Sequence, residues 1–236
     1  MFFAAYSCPV AARSEEGAKA PIDLGPLPGG HHGLSPEQVA ESQRERLLAA
    51  TAELIAERGF AETPITDIVK RAAVANRVFY QNFEGKEEAF VATFDAVVEH
   101  LTELIAEAAA AETRWPQQIV AALDASLLFF DREPTLARFC LVAPFTASAT
   151  IAAHCRDVLA TAIPYLAEGR SLGRKSDELP PSTEDSLLGG VLSQLSRTAF
   201  LGDRPFSALL PDLTEFALSP YLGAKKARAL AAARPA

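Results

Sequence analysis

Within "ANRVFYQNF", Asn76, Arg77, Tyr80 and Gln81 put an amide, a guanidinium, a phenol and a second amide close together in the chain. On a helix the first pair and the second lie one turn apart on one side. Val74, Phe79 and Phe83 supply the apolar frame behind them. None of the four polar groups is paired with a general base. What they offer is planar hydrogen bonding: Arg matches guanine O6 and N7, and Asn matches adenine N6 and N7. Lys86 then adds a charge where the free N–H groups of a new helix favour phosphate. Arg44, Arg46, Lys70 and Arg71 are placed to flank a groove. The chemistry in view is recognition of a nucleic-acid duplex.

Such a face needs elements to hold it. Ser35 is a good N-cap, Pro36 suits the first helical position and Gln38 completes a capping box; Gly59 ends that helix and Phe60 falls where it can fold back on Ile55. Thr63 is the expected N-cap of a second helix with Pro64 at its first position. "AAVA" makes a tight link into a third helix ending near Phe83, and two short helices so joined read as a helix-turn-helix. From Lys86 a long amphipathic helix carries Phe90, Phe94, Val97, Val98, Leu101, Leu104 and Ile105.

Beyond Trp115 the pattern stays helical, without strand alternation. The expected segments are Pro116 to Glu133, Pro134 to Val142, Thr146 to Gly169, Thr183 to Leu201, Phe206 to Leu218 and a tail helix near Gly223 to Ala233. The expected fold class is all-α: an N-terminal three-helix helix-turn-helix domain plus a larger C-terminal helical bundle. Residues 1–34, rich in Gly and Pro, are expected to form a disordered N-terminal arm, 35–85 the helix-turn-helix domain, and 86–236 the ligand-binding and dimerisation domain.

The chain has 236 residues, half of them apolar, which supports a buried core. Its net charge of −8 excludes a generic polyanion binder, so a nucleic-acid contact must come from a local positive patch. No run approaches the length needed to cross a bilayer, and the apolar N-terminus lacks a leading positive charge, so a cytoplasmic protein with no membrane partner is expected. Three cysteines, Cys8, Cys140 and Cys155, show no metal-binding spacing, and His31 and His32 sit in a Gly-rich loop; no metal and no cofactor is expected. Phosphate-binding, hydrolase and zinc-protease motifs are absent, and His154 and Cys155 point about 100° apart on a helix, so no catalytic residue is assigned and no enzyme is expected.

The segment "RERLLAATAELIAERGFAETPITDIVKRAAVANRVFYQNFEGKEEAF" resembles the DNA-binding domain of the TetR family of one-component transcriptional regulators, of the actinobacterial type, over roughly residues 42–92. The matching features are "AERGF", "T-x-x-DI-x-x-RA" and "V-x-x-x-x-FYxxFxxKEEAF". The resemblance implies DNA contacts by Arg44, Thr63, Asn76, Arg77, Tyr80, Gln81 and Lys86. It also implies an apolar effector in the helical body, near Phe94, Trp115, Phe129, Phe130, Phe139, Phe145, His154 and Tyr165. A homodimer would form through Leu187, Val191, Leu192, Leu195, Leu213, Phe216 and Ala217. The implied function is a repressor of a palindromic double-stranded operator, released by a small hydrophobic molecule. Three departures stand out: Ala73 where the family has Gly, Ala75 where it has Ser or Thr, and Val78 where Thr is frequent. They keep open a second reading, a helical ligand-binding module with degenerate DNA binding.

Overall fold

The computed structural model describes residues 35–172 and 178–232, and among these every regular element is a helix. The arm expected at 1–34, with Cys8, His31 and His32, lies outside the described residues. Ser35 caps α1 (Pro36–Arg58) through the foreseen box: its hydroxyl accepts from the Gln38 N–H while the Gln38 side chain accepts from the Ser35 N–H. Gly59 stops the helix at φ 85°, its N–H donating to the Ile55 carbonyl.

Two short helices follow, α2 (Ile65–Arg71) and α3 (Asn76–Asn82), then the long α4 (Lys86–Ala110). α5 (Trp115–Arg132) and α6 (Pro134–Leu141) both open on a proline in the first turn, where a missing N–H costs nothing. The single helix expected over Thr146 to Gly169 is in fact broken. It resolves into α7 (Ala149–Ala160), α8 (Ile163–Ala167) and a 3₁₀ turn, Glu168–Leu172. Pro164 explains the interruption, since it lacks an N–H and disfavours helical geometry in the residue before it. α9 (Thr183–Leu201) keeps its expected limits, whereas the next segment starts as a 3₁₀ turn, Phe206–Leu209, and continues as α10 (Leu210–Leu222). The tail helix is α11 (Ala224–Ala232).

Two apolar cores form. One closes around Leu47, Ile68, Phe79 and Phe83 inside the first helices; the other gathers Phe90, Phe94, Leu127, Phe130, Phe139 and Leu213 in the body. α1 and α4 contribute to both, through Leu54 and Ile55 on one and Ala89 and Phe90 on the other. The two cores therefore share their walls. α6 packs on α1 and also on α9, which places it between the N-terminal helices and the C-terminal ones. No single helix among the described residues is long and apolar enough to cross a membrane.

Candidate nucleic-acid interface

Alternation of burial along α3 sets the interface. Val78 and Phe79 are buried, as is Phe83 just beyond the helix, while Asn76, Arg77, Tyr80 and Gln81 are exposed on the opposite side. Tyr80 is 55% exposed although its ring meets Phe79 edge to face at 5.4 Å. Arg77 makes no ion pair among the described residues, so its guanidinium fork is available to a ligand. Asn82, by contrast, turns its amide back to the Val78 carbonyl at 2.8 Å.

The turn before α3 is made without glycine. Ala73 takes φ +51°, in the left-handed region, and Val74 N–H closes the loop onto the Val69 carbonyl at 3.1 Å. Ala75 occupies the N-cap with extended geometry and no capping side chain. Val78 spends its side chain on the core, so it takes no part in the surface.

The flanking cations divide. Arg44 lays its guanidinium 5.3 Å over the Phe83 ring, with one terminal nitrogen buried and unpartnered. Lys86 sits 4.3 Å over the Phe60 ring and donates to the Phe60 carbonyl at 2.6 Å, and desolvation lowers its pKa below the ordinary lysine value. Among the described residues two of its N–H donors stay uncommitted at the start of α4. Arg46 reaches the Ala73 carbonyl at 3.5 Å. Arg71 is bound by Glu53 and Glu57, so it does not flank a groove as expected, while Lys70 is exposed.

Thr63 requires a correction. Pro64, not Thr63, is the N-cap of α2, and Thr63 is fully buried with its hydroxyl donating to the Gly59 carbonyl at 2.8 Å and the Leu54 carbonyl at 3.3 Å. It ties the end of α1 to the start of α2 and presents nothing to DNA.

The expected effector residues do not converge. Phe94, Phe129, Phe130 and Phe139 lie in the closed body core, with Phe139 stacked on Phe90 and Phe129 against Phe130. Trp115 is elsewhere: its indole N–H donates to the Tyr165 carbonyl at 2.8 Å and its ring meets Tyr221. Gly169 is required there, because a Cβ would run into the Trp115 ring. Phe145 is 76% exposed, the opposite of a pocket wall, since it closes a short 3₁₀ turn at the surface. His154 is half-buried, bonded to Asp95 at 2.7 Å and edge-on to Phe94, the one polar pair facing the Phe-rich core among the proposed effector residues. Cys140 and Cys155 are buried, and burial pushes the Cys155 thiol up to about 12 and Cys140 higher still.

The expected dimer residues also separate. Leu195, Leu213 and Ala217 are buried within the protomer's own core, so they are not free apolar surface; Val191 and Leu192 are half-buried against that core. Phe216 is 45% exposed and lies over Gly190, where a Cβ would come within 2.6 Å of its ring. Phe200 and Leu201, at 67% and 50% exposed, are apolar surface that helical periodicity alone did not single out.

The fold is thus a helix-turn-helix with an outward polar face, mounted on a helical body. Residues 47–93 match the family model described as bacterial regulatory proteins, tetR family, a match confined to the N-terminal helices. Among known proteins it is 32% identical over 91 residues to the HTH-type transcriptional activator FasR of Mycolicibacterium smegmatis, a stretch covering 39% of this chain and 40% of that one. The match thus spans well under half of that relative's length. The fold is shared with the fatty acid degradation regulator FadR of Bacillus halodurans, at TM-score 0.67 and 18% identity over 74% of this chain and 97% of that one. It is also shared with FadR of Bacillus subtilis, solved in complex with stearoyl-CoA, at TM-score 0.63 and 16% identity over 75% and 97% of the chains.

Proposed function

We propose that this protein is a cytoplasmic, dimeric transcriptional regulator that binds a palindromic DNA operator and acts by binding, not catalysis. The observation that carries the reading is the outer face of α3. Asn76, Arg77, Tyr80 and Gln81 stand exposed on a helix whose other side is pinned by Val78 and Phe79. A surface of donors held on a rigid apolar back is what major-groove recognition requires. Arg44 and Lys86 flank it as phosphate partners, and two copies spaced about 34–36 Å apart would meet successive grooves.

Arg77→Ala tests this directly. Operator affinity should fall by about 1–3 kcal/mol in a gel-shift titration, with sequence preference relaxed at one base position. Unchanged affinity removes Arg77 from the reading face.

The effector in this reading is an apolar molecule, and the stearoyl-CoA bound by the similarly folded FadR supports an acyl-CoA thioester. The His154–Asp95 pair, edge-on to Phe94, provides a polar edge on the apolar body, whose closed aromatic core would have to open to admit an acyl chain. Binding would favour a wider spacing of the two reading heads and so release a repressor. A thermal-shift series of acyl-CoA chains against free CoA tests this; stabilisation that does not grow with chain length counts against it. The glycine-free turn and uncapped α3 favour one alternative, a ligand-binding module with degenerate DNA binding. A footprint showing only salt-sensitive, non-specific protection would select it.

A further inference from the structure

The turn that leads into α3 leaves one backbone group short. Ala73 alone among the described non-glycine residues takes a positive φ, +51°, and its carbonyl accepts from no backbone N–H among the described residues. The other bonds of the turn bypass it: the Ala73 N–H donates to the Lys70 carbonyl at 3.2 Å and the Val74 N–H to the Val69 carbonyl at 3.1 Å. A backbone carbonyl without a backbone donor has to be satisfied from elsewhere. Arg46, 27 residues back on α1, reaches it with a long bond, Nη1 donating to the Ala73 carbonyl at 3.5 Å. The same guanidinium is partly sunk in the head, its Nε buried and without a partner among the described residues. A cationic donor taken out of water in this way is held by its surroundings and is not free to follow a phosphate.

α3 has little else to fix its start. It is seven residues long, and its N-cap Ala75 offers no side-chain oxygen. Val78 and Phe79 hold its back against the core, while the turn sets the direction in which its first residues leave. Those first residues are Asn76 and Arg77, the exposed amide and guanidinium of the reading face. A shift at Ala73 therefore passes directly to the two groups that need planar, bidentate geometry to read a base. Lys86, beyond the other end of α3, tolerates such a shift, since an ammonium is a point charge with no fork to align.

We propose that Arg46 is a positioning residue for base recognition: it sets the turn from α1 and acts through Asn76 and Arg77 without itself meeting the DNA backbone. The inference rests on the DNA-binding reading given above and moves Arg46 from the groove-flanking place that its sequence position suggested to the inside of the head. Phosphate partners hold the duplex; Arg46 sharpens which duplex is held.

The test uses the full chain, with an operator selected from a random duplex pool and a random-sequence duplex of the same length. Binding is followed by fluorescence anisotropy over a range of salt, beside urea unfolding. Arg46→Ala should weaken operator binding about threefold to tenfold and random-sequence binding by less than about twofold. Its slope of log affinity against log salt should stay within about 0.5 of the parent, because no phosphate contact is lost. Arg46→Lys should lose the same discrimination with its charge intact, since a lysine amine ends short of a carbonyl that the longer Arg fork only just reaches. The lysine variant also decides the matter if the alanine variant folds poorly. Lys86→Ala gives the contrast: both duplexes weaken alike, and the slope becomes shallower by about 0.9 per protomer. Arg46→Lys binding the operator as the parent does overturns the inference. So does Arg46→Ala with the shallower slope of a lost phosphate contact, or with equal losses on both duplexes. Each of these outcomes leaves the DNA-binding reading standing. A parent that holds no selected duplex more tightly than random sequence overturns both.

Discussion

Ala73 bears a backbone cost that glycine would avoid. At φ +51° an L side chain crowds its own carbonyl, at about 1–2 kcal/mol, while glycine is free of that clash but loses about 0.5–1 kcal/mol of chain entropy. The first effect exceeds the second. Ala73→Gly should therefore stabilise the protein by about 0.5–1 kcal/mol in urea unfolding, and a loss of stability would mean that the Arg46 contact to the Ala73 carbonyl depends on the present geometry. Ala75 presents the complementary case: extended at the N-cap, it lacks only the oxygen. Ala75→Ser should add about 0.5–1 kcal/mol by accepting a free N–H of α3. The exposed polar face of α3 was visible in residue type and spacing. Thr63 was not, because a hydroxyl before a proline has the same local signature whether it caps the next helix or turns back to the last one, as it does here toward Gly59 and Leu54.

At the scale of elements, the loop between α8 and α9 is closed by a buried charge. Glu184, almost fully buried in the first turn of α9, receives two bonds from Arg170 at 2.7 and 2.8 Å and one from the Tyr221 hydroxyl at 2.8 Å. Arg170 also donates to the carbonyls of Leu179 and Pro180. The Arg170 guanidinium holds the Glu184 carboxyl below its ordinary value of 4.5; burial opposes this and Tyr221 assists it. For a carboxylate so depressed, the stabilisation is fully present above pH 4.5 and is lost as pH falls through the lower folded value. Glu184→Gln should cost about 2–4 kcal/mol at neutral pH, since it leaves Arg170 short of its counter-charge, and the gap to the parent should narrow below about pH 4. Glu215, held low by Arg228, titrates in the same window, so the difference between variant and parent is the quantity to follow. Such a clamp was beyond sequence reading, because it joins residues far apart in the chain through three elements. Helix limits fared better: the caps at Ser35 and Gly59 and the prolines opening α5 and α6 act within one turn. The same locality explains the broken α7, where apolar periodicity continued through Pro164 although the backbone could not.

For the whole molecule the decisive position is α6, which touches both α1 of the N-terminal helices and α9 of the C-terminal ones. Arg138 reaches across this joint, its Nε donating to the Ala56 carbonyl of α1 and its terminal nitrogen to the Ala199 carbonyl of α9, each at 3.4 Å. Both acceptors lie in the last turns of their helices, where carbonyls carry partial negative charge and attract a cation. The guanidinium thus links the C-terminal end of α1 to that of α9. A dimer whose heads are set at a fixed spacing spends less entropy on meeting two successive grooves than one whose heads swing. Arg138→Ala should accordingly weaken operator binding by about 1 kcal/mol without touching α3, within the range of coupling free energies between sites. Global stability should change by less, because each bond is long and part-exposed. Operator titration beside urea unfolding separates the two: equal losses in both would make Arg138 a structural tie, and unchanged affinity would remove it from any part in the proposed DNA binding.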